Sequence, residues 1–133
     1  MAALKVQEFV AHYCKRAGIE PPEAEADGTY VLRFDTKYAV HFGSDGRSGL
    51  VLRHNFKPLE RDRTRQEAMQ RLLRINLALA GRKRSTLTLD SESGTPFLYD
   101  IVGLDTDEGV GFKTVTSFVN EVAAFHKALD GRH

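Results

Sequence analysis

Five histidines, at 12, 41, 54, 126 and 133, are the side chains best equipped for chemistry in this 133-residue chain. Histidine can ligate a metal or move a proton near neutral pH. The spacing supports neither use. No HExxH pair occurs, no histidine pairs with a carboxylate at ligand spacing, and the single cysteine, Cys14, can neither extend a ligand set nor form an internal disulfide. His41 and His54 fall on neighbouring candidate strands, where a surface or half-buried histidine is the ordinary outcome. The serines, at 44, 48, 85, 91, 93 and 117, stand in no G-x-S-x-G elbow. Glycines 43, 46, 49, 109 and 111 lack the lysine of a phosphate loop and the spacing of a dinucleotide fingerprint, and they read as turns. Carboxylates cluster in "EPPEAEAD" and "DTDE", both in loops, whereas acid–base work requires burial. The sequence therefore predicts no catalytic residue, no metal and no cofactor.

The elements around these residues follow from hydrophobic period. A first helix is expected over residues 3–17, because Val6, Phe9, Val10, Tyr13 and Ala17 recur at helical spacing and Gly18 follows. From Thr29 the period changes to two. "TYVLRF", "KYAVHFG" and "GLVLRHNF" read as strands joined by "DT" and "SDGRS", an antiparallel meander. Tyr30, Leu32 and Phe34, then Tyr38, Val40 and Phe42, then Leu50, Leu52 and Phe56 define its covered face. "TLTLD" and "PFLYDIV" flank the turn "SESGT" as a second hairpin. Phe112, Val115, Phe118, Val119, Val122, Phe125 and Leu129 form the stripe of a last helix. The fold class is α+β, with three helices and a five-stranded antiparallel sheet in the order α-β-β-β-α-β-β-α. A single domain over 1–133 is expected at this length.

The helix between the two strand groups carries more apolar surface than one core needs. Thr64 and Glu67 form a capping-box pattern and Gly81 suits the closing position. Between them Ala68, Met69, Leu72, Leu73, Ile75, Leu77, Leu79 and Ala80 spread over an arc of roughly 200°. Either the helix is sandwiched within its own domain, or its second flank is a surface for self-association. Asn76, the polar residue inside that arc, could bond a strand backbone, cap a loop or set a dimer register.

Charge is unevenly placed although the net is only +1. Residues 61–84 hold eight basic and two acidic side chains, and residues 85–133 hold three and eight. The basic segment, with Arg61, Arg63, Arg65, Arg71, Arg74, Arg82, Lys83 and Arg84, gives the alternative reading of a nucleic-acid-binding module. It contains no aromatic residue for base stacking, so the favoured reading includes neither nucleic acid nor a membrane among the partners. The N-terminus is amphipathic rather than signal-like, and a cytoplasmic location is expected.

The ordered combination of "AGIEPPEAEADGTYVLRFD", "RLLRINLALAG" leading to "TLTLDSESGTPFLYDIV", and "FVNEVAAFHKAL" resembles the class I type III secretion chaperones, the family that includes the Tir chaperone. The resemblance implies a non-enzymatic, cytoplasmic bacterial homodimer. Such a chaperone holds the N-terminal region of a secreted effector in extended form, keeps it secretion-competent and helps target it to the secretion apparatus, with the secretion ATPase as a further partner. Carried over by position, the effector-binding residues are Val6, Phe9, Val10, Tyr13, Leu32, Phe34, Val40 and Leu52. The implied dimer interface is Met69, Leu72, Leu73, Asn76, Leu79, Leu87 and Leu89. Two features depart from the family pattern. The balance is slightly basic, with "GRKRS" where small residues are common, and "DTDEGVG" makes the approach to the last helix unusually glycine-rich.

Overall fold

The computed structural model describes residues 2–57, 64–79, 84–90, 92–104 and 107–129. Helix α1, Ala2–Ala17, buries Val6, Phe9, Val10 and Cys14, one stripe at helical spacing. Gly18 ends it at φ +74°, where a Cβ would be strained. The Gly18 N–H bonds the Lys15 carbonyl at 3.3 Å and the Ile19 N–H reaches Cys14 at 2.9 Å, the double closure of a Schellman motif.

Strands β1 (Tyr30–Phe34), β2 (Tyr38–Ser44) and β3 (Gly49–Asn55) form the expected meander. The first turn places Asp35 and Thr36 at φ +54° and +56°, with the Lys37 N–H on the Phe34 carbonyl at 3.0 Å. That is the left-handed pair a tight hairpin of right-twisted strands demands. In the second turn the Asp45 carboxylate accepts the N–H groups of Arg47 and Gly49 at 2.7 and 3.0 Å. Helix α2 (Arg65–Leu79) intervenes before β4 (Thr86–Leu89) and β5 (Pro96–Gly103). The sheet order is β1-β2-β3-β5-β4, antiparallel throughout, so β5 slots between β3 and the edge strand β4. The architecture is the α+β arrangement that the sequence predicts.

The acidic loops build turns. Asp27 accepts both the N–H and the hydroxyl of Thr29, and Asp90 accepts the N–H groups of Glu92 and Ser93. Each donor pair favours the ionised form and lowers the pKa of its carboxyl.

One face of the sheet is covered. Leu32, Val40, Phe42, Leu50, Leu52, Leu87, Leu98 and Val102 join α1 and helix α3 (Glu108–Leu129) in a continuous core, to which α3 adds Val115, Phe118, Val122 and Phe125. Burying each such side chain contributes about 1.5–3 kcal/mol. The opposite face, with Val31, Val51, Phe97, Tyr99 and Ile101, has no fully buried side chain.

The glycine-rich approach to α3 has a packing reason. Asp107 caps the helix by accepting the Gly109 N–H at 2.7 Å, so α3 begins before both glycines. A Cβ on Gly111 would sit 2.7 Å from Cε2 of the buried Phe9 ring. The helices can approach this closely only because that side chain is a hydrogen atom. Gly111→Val is expected to destabilise the protein by about 1–3 kcal/mol through overpacking, read as a lower urea midpoint with an unchanged slope.

Candidate binding surfaces

Helix α2 begins as its cap requires. The Glu67 N–H bonds the Thr64 hydroxyl at 3.1 Å and the Ala68 N–H bonds the Thr64 carbonyl at 3.2 Å. The proposed closing residue Gly81 lies outside the described residues. The wide apolar arc divides in two. Ala68 and Leu72 are buried, with Ile75 and Leu79 half-buried beside them. Met69, Leu73 and Leu77, four residues apart and hence aligned along one outward stripe, are 45%, 58% and 75% exposed. Within the described chain the second flank is uncovered.

Asn76 resolves its three sequence-level alternatives by bonding a strand backbone. Its Nδ2 donates to the Leu87 carbonyl at 2.7 Å and its Oδ1 accepts the Leu87 N–H at 3.3 Å. A strand residue's N–H and C=O point to the same side, so this amide covers the outer edge of β4. On the other side of the connection Glu121 of α3, only 7% exposed, accepts the N–H groups of Arg84 and Ser85 at 3.0 and 2.8 Å and the Ser85 hydroxyl. Arg84 also pairs with Asp100 at 3.1 Å. These bonds fix the start of β4 and with it the position of α2.

Of the interface residues implied by the resemblance, Met69 and Leu73 lie on the exposed stripe. Leu72 and Leu87 are in the core, Leu79 and Leu89 are half-buried against it, and Asn76 spends its amide within the chain. Leu77, the most exposed large apolar residue, belongs to the same stripe although it was absent from that set. Its spacing of four from Leu73 was the available signal.

A second surface lies between α1 and the start of α3. Phe112 packs on Phe9 and Tyr13, with ring centroids 5.3 and 5.6 Å apart, and Tyr13 also meets Phe34 at 6.2 Å and Phe42 at 6.5 Å. Burial and the neighbouring Cys14 raise the pKa of the Tyr13 hydroxyl. Tyr13 and Phe112 floor a groove of about 600 Å³, lined also by Arg16, Ala17, Gly109, Lys113, Thr116 and Ser117. Among the implied effector-binding residues, Val6, Phe9, Val10, Leu32, Val40 and Leu52 are buried beneath it or in the adjoining core, whereas Tyr13 and Phe34 are half-buried. Phe112, which the helical stripe of α3 assigns to the core, lines the groove instead.

The histidines take positions that spacing did not reveal. His41 and His54 lie on adjacent strands but face opposite sides of the sheet, and His54 is 5% exposed on the core side. His54 Nδ1 lies 2.8 Å from the Ala39 carbonyl, which can only accept, so Nδ1 carries the proton. Its Nε2 then accepts from His126 Nε2, 2.9 Å away on α3. Tyr38 and Phe56 pack around the pair. His12 sits apart, on the surface, 2.7 Å from Glu108. Among the described residues no group of three histidine, cysteine or acidic side chains could hold a metal ion. Of the basic segment, Arg61, Arg63, Arg82 and Lys83 lie outside the described residues, as does His133. Arg71 donates to the Leu129 carbonyl.

Two helices on one face of a five-stranded antiparallel sheet, with a third flanking its β4 edge, form a fold shared with several solved structures. The structure of the Yersinia pestis type III secretion chaperone SycH, in complex with a stable fragment of YscM2, matches over 90% of this chain and 98% of its own at TM-score 0.62 and 18% identity. The HopA1–SchA chaperone–effector complex matches over 93% and 94% at 0.67 and 19%. The ExsC–ExsE complex matches over 96% and 95% at 0.72 and 17%. At these identities the likeness is one of fold. No curated protein matches the chain. Residues 8–124 match the Tir chaperone protein (CesT) family, and the chain belongs to that family.

Burial holds the His54 pKa below its ordinary value of 6.5, with the charge of His41 acting in the same direction and the Ala39 hydrogen bond opposing it. The folded state thus keeps His54 neutral where the unfolded chain would protonate it. The contribution is complete above pH 6.5 and is lost as pH falls toward the depressed folded pKa, with a slope of at most about 1.4 kcal/mol per pH unit. Asp27 and Asp90, whose pKa values are lowered from 3.8, act in a separate, more acidic window. The urea midpoint is expected to drop between pH 7 and pH 5, and His54→Gln should flatten that drop.

Proposed function

We propose that the chain is a non-enzymatic type III secretion chaperone of the bacterial cytoplasm, acting as one domain and as a homodimer. In this reading it holds the N-terminal region of a secreted effector in extended form and keeps it competent for delivery to the secretion apparatus. The observation that carries the reading is the apolar surface left open on a family member: the Met69, Leu73 and Leu77 stripe on α2, and the ring-floored groove beside α1. Exposed patches of this kind mark interaction sites.

Each surface fits one partner. The α2 stripe is straight and anchored to a rigid edge strand, which suits self-association about a two-fold axis, where a helix meets its own copy. The groove is concave, apolar and roofless, which suits an extended chain that sets side chains into it one at a time. Tyr13 and Phe112 are the aromatic side chains positioned to touch cargo, with Phe34 packed against Tyr13, and Val6, Phe9, Val10, Leu32, Val40 and Leu52 belong to the core beneath and beside them. A segment bound this way gives up conformational entropy on ordering, so its net affinity stays moderate and release needs no chemistry. The relatives' complexes with a protein fragment or effector support this reading.

Leu73→Glu with Leu77→Glu would put charges into an apolar interface at a cost of several kcal/mol. The variant should sediment as a folded monomer, since both side chains are exposed in the single chain. A wild-type chain that is monomeric at tens of micromolar would refute the dimer. For cargo, Phe112→Ser should lower retention of the N-terminal region of an effector that co-purifies with the wild-type chain by about ten-fold or more, with the dimer intact. Undiminished retention by that folded variant would remove the groove from the site.

A further inference from the structure

The α1–α3 groove is electrostatically one-sided. Among its described lining residues the ionised side chains are Arg16 and Lys113, one on each wall, and none is acidic. Two carboxylates at the start of α3 are engaged elsewhere: Glu108 with His12 at 2.7 Å, and Asp107 with the Gly109 N–H. At the N-terminal end of α3 Asp107 already takes the N–H groups of Gly109, Val110 and Gly111, so the positive character of the groove comes from the two side chains. The ring surfaces are occupied. Phe112 has Phe9 and Tyr13 tilted against it and the Arg16 guanidinium 5.4 Å from its centroid, so neither aromatic offers a free face on which a base could stack. What remains is an apolar slot with a cation on either rim. Resting on the chaperone reading above, we propose that this groove selects its occupant by charge, taking an extended peptide segment in which an apolar anchor is flanked by carboxylates.

The division of labour follows from the geometry. The Arg16 side chain moves from the Phe112 ring to a carboxylate, exchanging a cation–π contact for a charge-assisted hydrogen bond, and the anchor settles in the groove onto the touching Tyr13 and Phe112 side chains. Lys113 meets a carboxylate on the other side of the anchor. Because the rim cations are exposed, they set specificity and salt sensitivity more than total affinity.

The test uses three synthetic peptides of about a dozen residues, each with one Leu-Phe anchor, whose flanks are all glutamate, all serine or all lysine. Binding to the full chain is read by NMR titration, which detects weak complexes. The glutamate peptide should bind about five-fold or more tighter than the serine peptide and perturb the amides of Tyr13, Phe112 and Lys113, and the lysine peptide should bind weakest. Arg16→Glu with Lys113→Glu should invert that order, and raised salt should compress it. Equal binding by all three peptides, perturbations centred elsewhere, or the same perturbations from a single-stranded oligothymidine would overturn the proposal. If the double variant retained the effector region as well as wild type while Phe112→Ser lost it, charge selection would fail and the chaperone reading would stand.

Discussion

The two hydrogen bonds between the Asn76 amide and the Leu87 backbone set the orientation of everything at one end of the molecule. A helix with apolar side chains around roughly half its circumference has no unique way to lie against a sheet, because several rotations bury similar areas. A primary amide matched to one residue's N–H and C=O removes that freedom. With Asn76 fixed on β4, Leu72 must point into the core and Met69, Leu73 and Leu77 must point away from it. An uncovered apolar stripe is thus the geometric consequence of a satisfied polar group.

The same logic governs the other buried polar residues. Glu121 lies on the core-facing side of α3, where a carboxylate would be costly alone, and it is satisfied by the backbone leading into β4. His54 takes a core position on β3 and is satisfied by Ala39 and His126. Each ties two elements together by direction as well as by area, which apolar contacts cannot do. Gly111 contributes by omission, letting α3 settle onto Phe9 so that Phe112 and Tyr13 meet at the groove floor. The interior specifies the shape, and that shape exposes two apolar surfaces.

Period and turn chemistry made most of the fold legible in the sequence. The Thr64 cap, the Gly18 closure, the two-residue Asp35-Thr36 turn and the alternation of Leu32, Val40, Phe42, Leu50 and Leu52 are local signals, and local physics fixes them. What was illegible depends on partners far along the chain. His54 meets His126 at a separation of 72 residues, and nothing in "LRHNF" announces that its histidine faces inward. Gly111 looks like a turn glycine until Phe9 is seen beside it. The groove was partly legible. Of the residues the family resemblance implies, Tyr13 lines it, Phe34 packs beside Tyr13 and the other six are buried, because a core and a binding surface ask for the same kinds of side chain. The excess of apolar residues on α2 was readable from one helical wheel, although which of them face outward required Asn76.

The strand order β1-β2-β3-β5-β4 constrains the sequence in which the chain can close. The meander joins neighbours through short turns and can form early, since short loops are entropically cheap. Strands β4 and β5 form a second local hairpin, and it joins the sheet where β5 returns from beyond α2 to lie beside β3. Helix α2 gains its orientation from β4, so its outward stripe is defined only where that second hairpin is in place. Without that hairpin the helix would have no fixed outward face, so in the proposed dimer self-association through the stripe would depend on the docked β4 edge.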